Sequence, residues 1–425
     1  MLKYAHMHKA FSLTNGVRVL TSPLKETQAV TVMVFVKVGS RYETQELNGA
    51  SHFLEHMMFK GTQRRPNTLM ISKELDGIGA EYNAFTSKDH TGYYIKTNHQ
   101  HIDLALDMLS DMLVNSKFEA KELDRERGVI IEEINMYEDN PMAHIEDVFE
   151  NGLYGDTPLG WNIAGKKEGI TKMSREKMLA YKNKYYIGRN MWLVIAGKVP
   201  ENLNQLIKKY FNLIPGKSNV PKYVGQKGYS KNKIHLQYKE TEQSHLIIGG
   251  PGLKYSAKEL NAVSLLAIML GGNMSSRLFI EIRERMGLCY FIRAGLSPYE
   301  DIGHFQVQAG LDKTRIKEAI PAILQEISKM QKGDFSPEEL RRAKEFIKGK
   351  FILELEDSEN IAGWMGKQAL FMKKIKTAKE RIAEVEAVKI NEVKKIAKQV
   401  LDIKNFHLAI IGPYKDQKVF EKFIN

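Results

Sequence analysis

Three segments of this 425-residue chain recur in the same order at a nearly constant offset, and this limits the fold more than any other feature. Glu46-Leu47-Asn48 matches Glu259-Leu260-Asn261, and the same offset of 213 carries Ser51 onto Ser264. Phe118, Glu122, Leu123 and Arg125 match Phe335, Glu339, Leu340 and Arg342 at an offset of 217. Asn190-Met191-Trp192-Leu193-Val194-Ile195-Ala196-Gly197 matches Asn405-Phe406-His407-Leu408-Ala409-Ile410-Ile411-Gly412 at 215. Between the copies, residues 215–231 read PGKSNVPKYVGQKGYSK, poor in apolar periodicity and rich in Gly, Pro, Ser and Lys. The pattern predicts a duplicated α/β domain, residues 1–214 and 232–425, joined by a linker at 215–231.

The first copy reads as alternating strands and helices. Asn15-Gly16 is the turn signal of a hairpin over Phe11–Val19, and Ala29–Val38 is a β-branched strand. A helix is expected over about Asn48–Phe59, with Asn48 as N-cap, and another over Thr68–Leu75, ended by Gly77-Ile78-Gly79. Strands at Glu81–Thr86 and Thr91–Thr97 precede helices at His101–Val114 and Glu119–Tyr137. After the break at Asn140-Pro141 a helical run extends to Phe149. A helix at Lys172–Tyr186, the strand Met191–Ala196 and a helix to Phe211 complete the copy.

Chemistry concentrates in the first of these repeated helices, LNGASHFLEHMMFKGT. His52 and His56 are four apart and project from one helix face, with Glu55 beside them. Two imidazoles at that spacing can close on one metal ion. The order H-x-x-E-H is the reverse of the commoner H-E-x-x-H zinc motif. A catalytic zinc takes three protein ligands and keeps one position for water, whose proton Glu55 is placed to accept. The alternative is an amphipathic helix whose histidines cap a core edge. The second copy argues against it, because His52, Glu55 and His56 fall there on Leu265, Ile268 and Met269, so the fold does not need them.

The third ligand is sought on the Glu119–Tyr137 helix. Val129, Ile130, Ile134 and Tyr137 suggest its apolar stripe, beside which Glu126 and Glu133 share a face, while Glu132 turns toward Arg125. Glu133 is the expected ligand, with Glu126 behind it. Their counterparts are Ala343 and Lys350, so the carboxylates vanish where the histidines vanish. A carboxylate facing a core without a cation is costly, which favours a metal over a solvated charged face.

Composition excludes several other classes. The single Cys289 rules out an internal disulfide and fits a reducing compartment. No apolar run of signal-peptide or membrane-spanning length occurs, so a soluble, cytoplasmic protein without a membrane partner is expected. The net charge of +12 raises nucleic acid as a partner, but Glu119–Glu150 holds 11 acidic against 3 basic residues, net −8, leaving +20 elsewhere. With no aromatic-basic platform or helix-turn-helix signal, no nucleic-acid partner is expected.

The stretch HFLEHMMFKGT, the carboxylate-bearing ERGVIIEEINMYEDNP and the two-copy layout resemble the pitrilysin/insulinase family of zinc peptidases, the inverzincins. The likeness is to the short two-domain form, similar to mitochondrial processing peptidase and bacterial processing peptidases. It runs over essentially the whole chain. It implies a fold of two homologous domains, each a mostly antiparallel sheet flanked by helices, together half of a clam-shell peptidase. It implies one Zn²⁺ per chain on His52, His56 and Glu133, Glu55 as general base, and Glu126 as the carboxylate supporting the ligands. Gly79–Thr86 resembles the edge strand on which the family lays the substrate backbone, with Asn83 and Ala84 at the contact positions. Arg283 and Tyr290, in IRERMGLCY, match a substrate-binding and catalytic Arg/Tyr pair. Family members enclose unfolded peptides between four such domains, which implies a homodimer here, a heterodimer with a degenerate homologue being the alternative. The acidity of Glu119–Glu150 would favour basic stretches in the peptide. The rival reading is a non-catalytic core-type assembly subunit of the same fold, which would lack the metal set this chain keeps.

Overall fold

The computed structural model describes residues 8–216 and 222–424. Residues 1–7, part of the stretch read for targeting signals, and 217–221 of the expected linker lie outside the described residues. The first half runs β1 (Lys9–Ser12), β2 (Arg18–Pro23), β3 (Ala29–Val36), α1 (Ala50–Met58), α2 (Thr68–Asp76), β4 (Glu81–Thr86), β5 (Thr91–Asn98), α3 (Ile102–Asn115), α4 (Ala120–Asp139), α5 (Pro141–Tyr154), α6 (Lys167–Lys172), α7 (Arg175–Tyr185), β6 (Met191–Gly197) and α8 (Leu203–Phe211). The second runs β7 (Ile234–Tyr238), β8 (Gln243–Pro251), α9 (Leu260–Gly271), β9 (Cys289–Pro298), β10 (Gly303–Asp312), α10 (Ile316–Gln331), α11 (Pro337–Glu354), α12 (Ser358–Phe371), α13 (Ala378–Ala387), α14 (Ile390–Val400), β11 (His407–Gly412) and α15 (Lys418–Ile424).

The elements expected of the first copy are present, with three local differences. The helix expected to end at Phe149 continues to Tyr154 and stops where Gly155 takes φ 71°. The helix expected from Lys172 begins at Arg175, where the Ser174 side chain accepts the Lys177 amide, and the short α6 precedes it. On α4 the buried stripe is Leu123, Glu126, Ile130 and Ile134, whereas Val129 and Tyr137 are 48% and 45% exposed. The true stripe follows the 3-4-4 spacing of a helix face, and Val129 lies off it.

Each half contributes one sheet, and the two sheets share a topology. The first has the order β1-β2-β6-β3-β5-β4, the second β7-β11-β8-β10-β9. Only β2–β6 and β7–β11 pair in parallel, at equivalent places. Strand for strand, β2, β6, β3, β5 and β4 therefore correspond to β7, β11, β8, β10 and β9, and the repeat legible in three short segments extends to every strand but β1. The architecture is mixed α/β, two helix-flanked sheets.

The two compact units are not consecutive halves of the chain. One takes residues up to 134, 162–224 and 351–380; the other takes 135–161, 225–350 and 381 onward. In the first unit one sheet face is covered by α1, α3, α7 and α8, through residues such as Phe53, Met57, Leu106, Tyr181 and Ile207. The opposite face, carrying Leu20, Met33, Phe35 and Val194, is covered by α12 from the distant end of the chain, through Ile361, Ala362 and Met365. This explains why β3 is buried at seven of its eight positions and reads as nearly continuous apolar sequence. The second unit mirrors it. Leu246, Ile248 and Val307 face α9, α10 and α14, while Ile247, Ala409 and Ile411 face Ile145 and Phe149 of α5.

The described part of the linker has no regular structure, yet it is anchored. Tyr223 belongs to the first unit, its ring 5.3 Å from that of Tyr42 and 4.0 Å from the Arg41 guanidinium. In the second unit the Gln226 amide donates to Asp301 at 2.9 Å.

The α12 layer depends on close approach. A Cβ on Gly366 would come within 1.9 Å of the Phe35 ring. Gly366→Val is therefore expected to destabilise the protein by about 1–3 kcal/mol, the usual cost of overpacking a filled core. Urea denaturation checks this, and an unchanged midpoint would show that α12 does not close this sheet.

Candidate metal centre

The helix bearing the H-x-x-E-H residues is fixed at its start by a loop carboxylate, not by the expected Asn48. Gly49 occupies the N-cap with φ 96°, and Glu43 takes the Gly49 amide at 2.8 Å and the Ser51 amide at 2.7 Å. Asn48 instead braces Glu43, donating to its Oε2 at 3.2 Å and to the Asn162 carbonyl at 3.0 Å. Nothing local in the sequence marks Glu43 for this task, since it reaches the helix from a separate turn. Burial pushes its carboxyl up to about 7, against the pull of the amides it accepts.

From that anchored helix His52 and His56 converge with Glu133 of α4. Their Nε2 atoms are 3.3 Å apart, His52 Nε2 is 3.5 Å from Glu133 Oε1, and His56 Nε2 is 3.5 Å from Glu133 Oε2. One ligand atom from each of the three residues lies within 4.8 Å of the others, the one such group among the described residues. The expected third ligand thus lies beside the two imidazoles, although Glu133 is 77 residues beyond His56 in the chain.

Glu126 sets the tautomer of this cluster. It is 2% exposed and accepts from His56 Nδ1 at 2.8 Å, while Lys60 Nζ approaches its other oxygen at 2.6 Å. Burial alone would raise its carboxyl, but His56 and Lys60 outweigh it and hold the group below the ordinary carboxylate range. A carboxylate only accepts, so His56 Nδ1 carries the proton and its Nε2 lone pair points at His52 and Glu133. Glu133 is also held low, first by its hydrogen bond with His52. Two imidazole nitrogens, the one on His56 left with its lone pair, and a carboxylate meeting at edges of 3.3–3.5 Å suit a tetrahedral ion, whose bonds of roughly 2.0–2.1 Å give edges of about 3.4 Å. The residues fit a zinc ion by donor chemistry and by spacing.

Glu55 sits beside the cluster, outside the three-residue donor group. It accepts from Thr86 Oγ1 at 2.6 Å, and burial raises its carboxyl despite that bond. Thr86 and Lys60 were not singled out from sequence. Lys60 stands one helical turn beyond His56, a spacing that could have flagged it; Thr86 is brought in by the sheet alone. It ends β4, the edge strand of the first sheet. On β4 the Ala84 amide donates to Asn83 Oδ1 at 2.8 Å, so a peptide strand added here must displace that local bond. In the second unit Arg283 stacks on Tyr290, its guanidinium 5.1 Å from the ring, and Tyr290 is 75% exposed on β9.

Comparison with known proteins defines the class of this chain. The family model for insulinase (peptidase family M16) matches residues 18–167, and that for the peptidase M16 inactive domain matches 172–347. The chain belongs to the insulinase family of peptidases, M16, in its short two-domain form. It is 34% identical over 411 residues to an uncharacterized zinc protease from Bacillus subtilis, covering 96% of this chain and 98% of that one. Similar proteins named uncharacterized zinc protease occur in Streptomyces coelicolor, at 32% identity over 96% of this chain and 90% of the relative, and in Rickettsia felis, at 33% over 94% and 96%. The fold is that of a protease from Helicobacter pylori, with TM-score 0.89, 23% identity, and 96% and 100% of the two chains covered. It is equally that of a peptidase M16 inactive domain from Pseudomonas fluorescens, with TM-score 0.89, 19% identity and 97% and 99% covered. Among the described residues no helix is long and apolar enough to cross a membrane.

Glu43 gives this site a pH signature. Its folded carboxyl titrates near 7, above the unfolded value of 4.5, so between those values the folded state binds the extra proton and stability falls as pH rises. Relative to Glu43→Gln, the metal-free protein is expected to lose stability from pH 4.5 to 7, by up to about 3 kcal/mol, and to change little outside that window. Urea denaturation of both proteins across the range measures the difference; a wild-type stability that holds constant or rises relative to Glu43→Gln between pH 4.5 and 7 would refute the assignment.

Proposed function

We propose that the chain is a zinc metalloendopeptidase that hydrolyses unfolded peptides, with His52, His56 and Glu133 holding one zinc ion. The observation that carries this reading is the convergence of those three donors beside a carboxylate, Glu55, that stands outside the donor group. Zinc bound there would lower the pKa of a water molecule and polarise the peptide carbonyl. Glu55, held by Thr86 and poorly solvated, takes the proton from the attacking water and delivers it to the departing amine. Glu126 keeps the proton on His56 Nδ1, and Lys60 keeps Glu126 charged. Asn83 and Ala84, on the free edge of β4, bind the substrate backbone as an added strand. Arg283 and Tyr290 hold the peptide and its developing oxyanion.

The proposal extends to assembly as a homodimer in the cytoplasm. In its support, one chain carries both the donor set and the Arg283–Tyr290 pair, so no different partner is required. The same intact donor set argues against a purely structural subunit.

Glu55→Gln tests the chemistry. It is expected to retain zinc at wild-type stoichiometry and to lose hydrolysis of an unstructured peptide by at least a hundredfold; unchanged hydrolysis would remove the assigned base. Glu126→Gln is expected to weaken zinc affinity about 10–100-fold, read by chelator competition. Affinity equal to wild type would show that His56 is oriented without it.

A further inference from the structure

The second unit keeps the cleft that corresponds to the metal centre and lines it with different chemistry. A cavity of about 630 Å³ opens between α9 with its following loop and α11, lined among others by Ile268, Met269, Ala343 and Lys350. These are the counterparts of Glu55, His56, Glu126 and Glu133. The helix pair that gathers donors in the first unit therefore frames an open cavity in the second.

Three side chains of α11 run along one wall at four-residue steps, Arg342, Phe346 and Lys350. Ile268, Met269 and the 70%-exposed Met274 face the same space. Among the described residues neither Arg342 nor Lys350 has a carboxylate within ion-pair distance. Glu339, also in the lining, is held by Arg277 at 2.8 and 3.1 Å, and Glu338 is held by Arg341 through two bonds of 2.8 Å. The wall presents cation, aromatic ring, cation. This is the opposite sign from the acidic α4.

Spacing identifies what fits. Eight residues of helix put Arg342 and Lys350 about 12 Å apart along the axis. In an extended peptide, residues i, i+2 and i+4 share one face and span about 13 Å. Next to this cleft, β9 is the edge strand of its sheet, and α9 ends against it. A Cβ on Gly271 would come within 2.6 Å of the Ala294 amide nitrogen.

We propose that this cleft binds an extended peptide segment of the pattern acidic–x–apolar–x–acidic, its carboxylates on Arg342 and Lys350 and its apolar side chain among Phe346, Ile268 and Met274. The site selects substrates and does no chemistry. Only the peptide nature of the occupant rests on the peptidase reading, and the test needs no turnover.

The probe is a fluorescent ten-residue peptide with Glu-x-Leu-x-Glu in a Gly/Ser/Thr background, titrated by anisotropy with the full-length, zinc-loaded Glu55→Gln protein. Replacing both glutamates by glutamine, or the leucine by glutamine, is expected to weaken binding at least tenfold; so is placing the glutamates side by side. Arg342→Glu with Lys350→Glu should abolish binding of this peptide and confer binding of Lys-x-Leu-x-Lys, a gain that a misfolded variant cannot show. Equal affinity for the Glu and Gln peptides, or wild-type affinity in the double variant, would overturn the proposal. So would loss of binding on amidating the peptide terminus alone, which would assign the cleft to chain ends instead. Loss of hydrolysis by the wild type with this binding intact would count against the peptidase reading alone.

Discussion

The hydrogen bond from His56 Nδ1 to Glu126 is the interaction on which the site depends. It decides which imidazole nitrogen carries a proton, and so leaves an unshared electron pair on the atom that faces His52 and Glu133. It is maintained from both sides. Lys60 keeps the Glu126 carboxylate ionised in a place where burial opposes charge, and Glu43 ties down the start of the helix from which both histidines project. Polar contacts thus support the donor atoms from two sides, a buried turn fixing the helix start and a buried carboxylate fixing the His56 proton.

The same scaffold occurs twice with opposite contents. Leu265, Ile268 and Met269 occupy the helix positions of His52, Glu55 and His56, and the sheet behind them has the same strand order and the same parallel pair. The comparison separates what the fold requires from what the site requires. A helix over an edge strand is required by the fold; imidazoles and carboxylates on it are not. One copy carries the donors, and the other has a basic, apolar cleft in the same frame.

Much of this was legible in the residues alone, for identifiable reasons. His52, Glu55 and His56 stand within one helical turn, so their spacing carries their geometry. Glu133 required the duplication as a guide, because its position 70-odd residues away is set by packing. The stripe of α4 was misassigned at Val129 and Tyr137 because Glu126 belongs to the buried face and breaks the apolar pattern there. Glu43 and Thr86 had no local signature, since a turn and a strand end approach the helix only in three dimensions. The exchange of α5 and α12 between the units was equally hidden. Nothing in an amphipathic helix states which sheet it will cover, and the linker at 215–231 suggested that each half would be self-sufficient.

That exchange has a consequence for biosynthesis. The first unit cannot receive its back layer until residue 371 has been made, and the other unit cannot receive β11 until still later. From the completion of β6 at Gly197 to that of α12 at Phe371, the face of β2, β3 and β6 is an open apolar surface awaiting a helix not yet synthesised. A chain that stops before α12 therefore lacks the residues that cover this face and leaves its apolar side chains exposed to water.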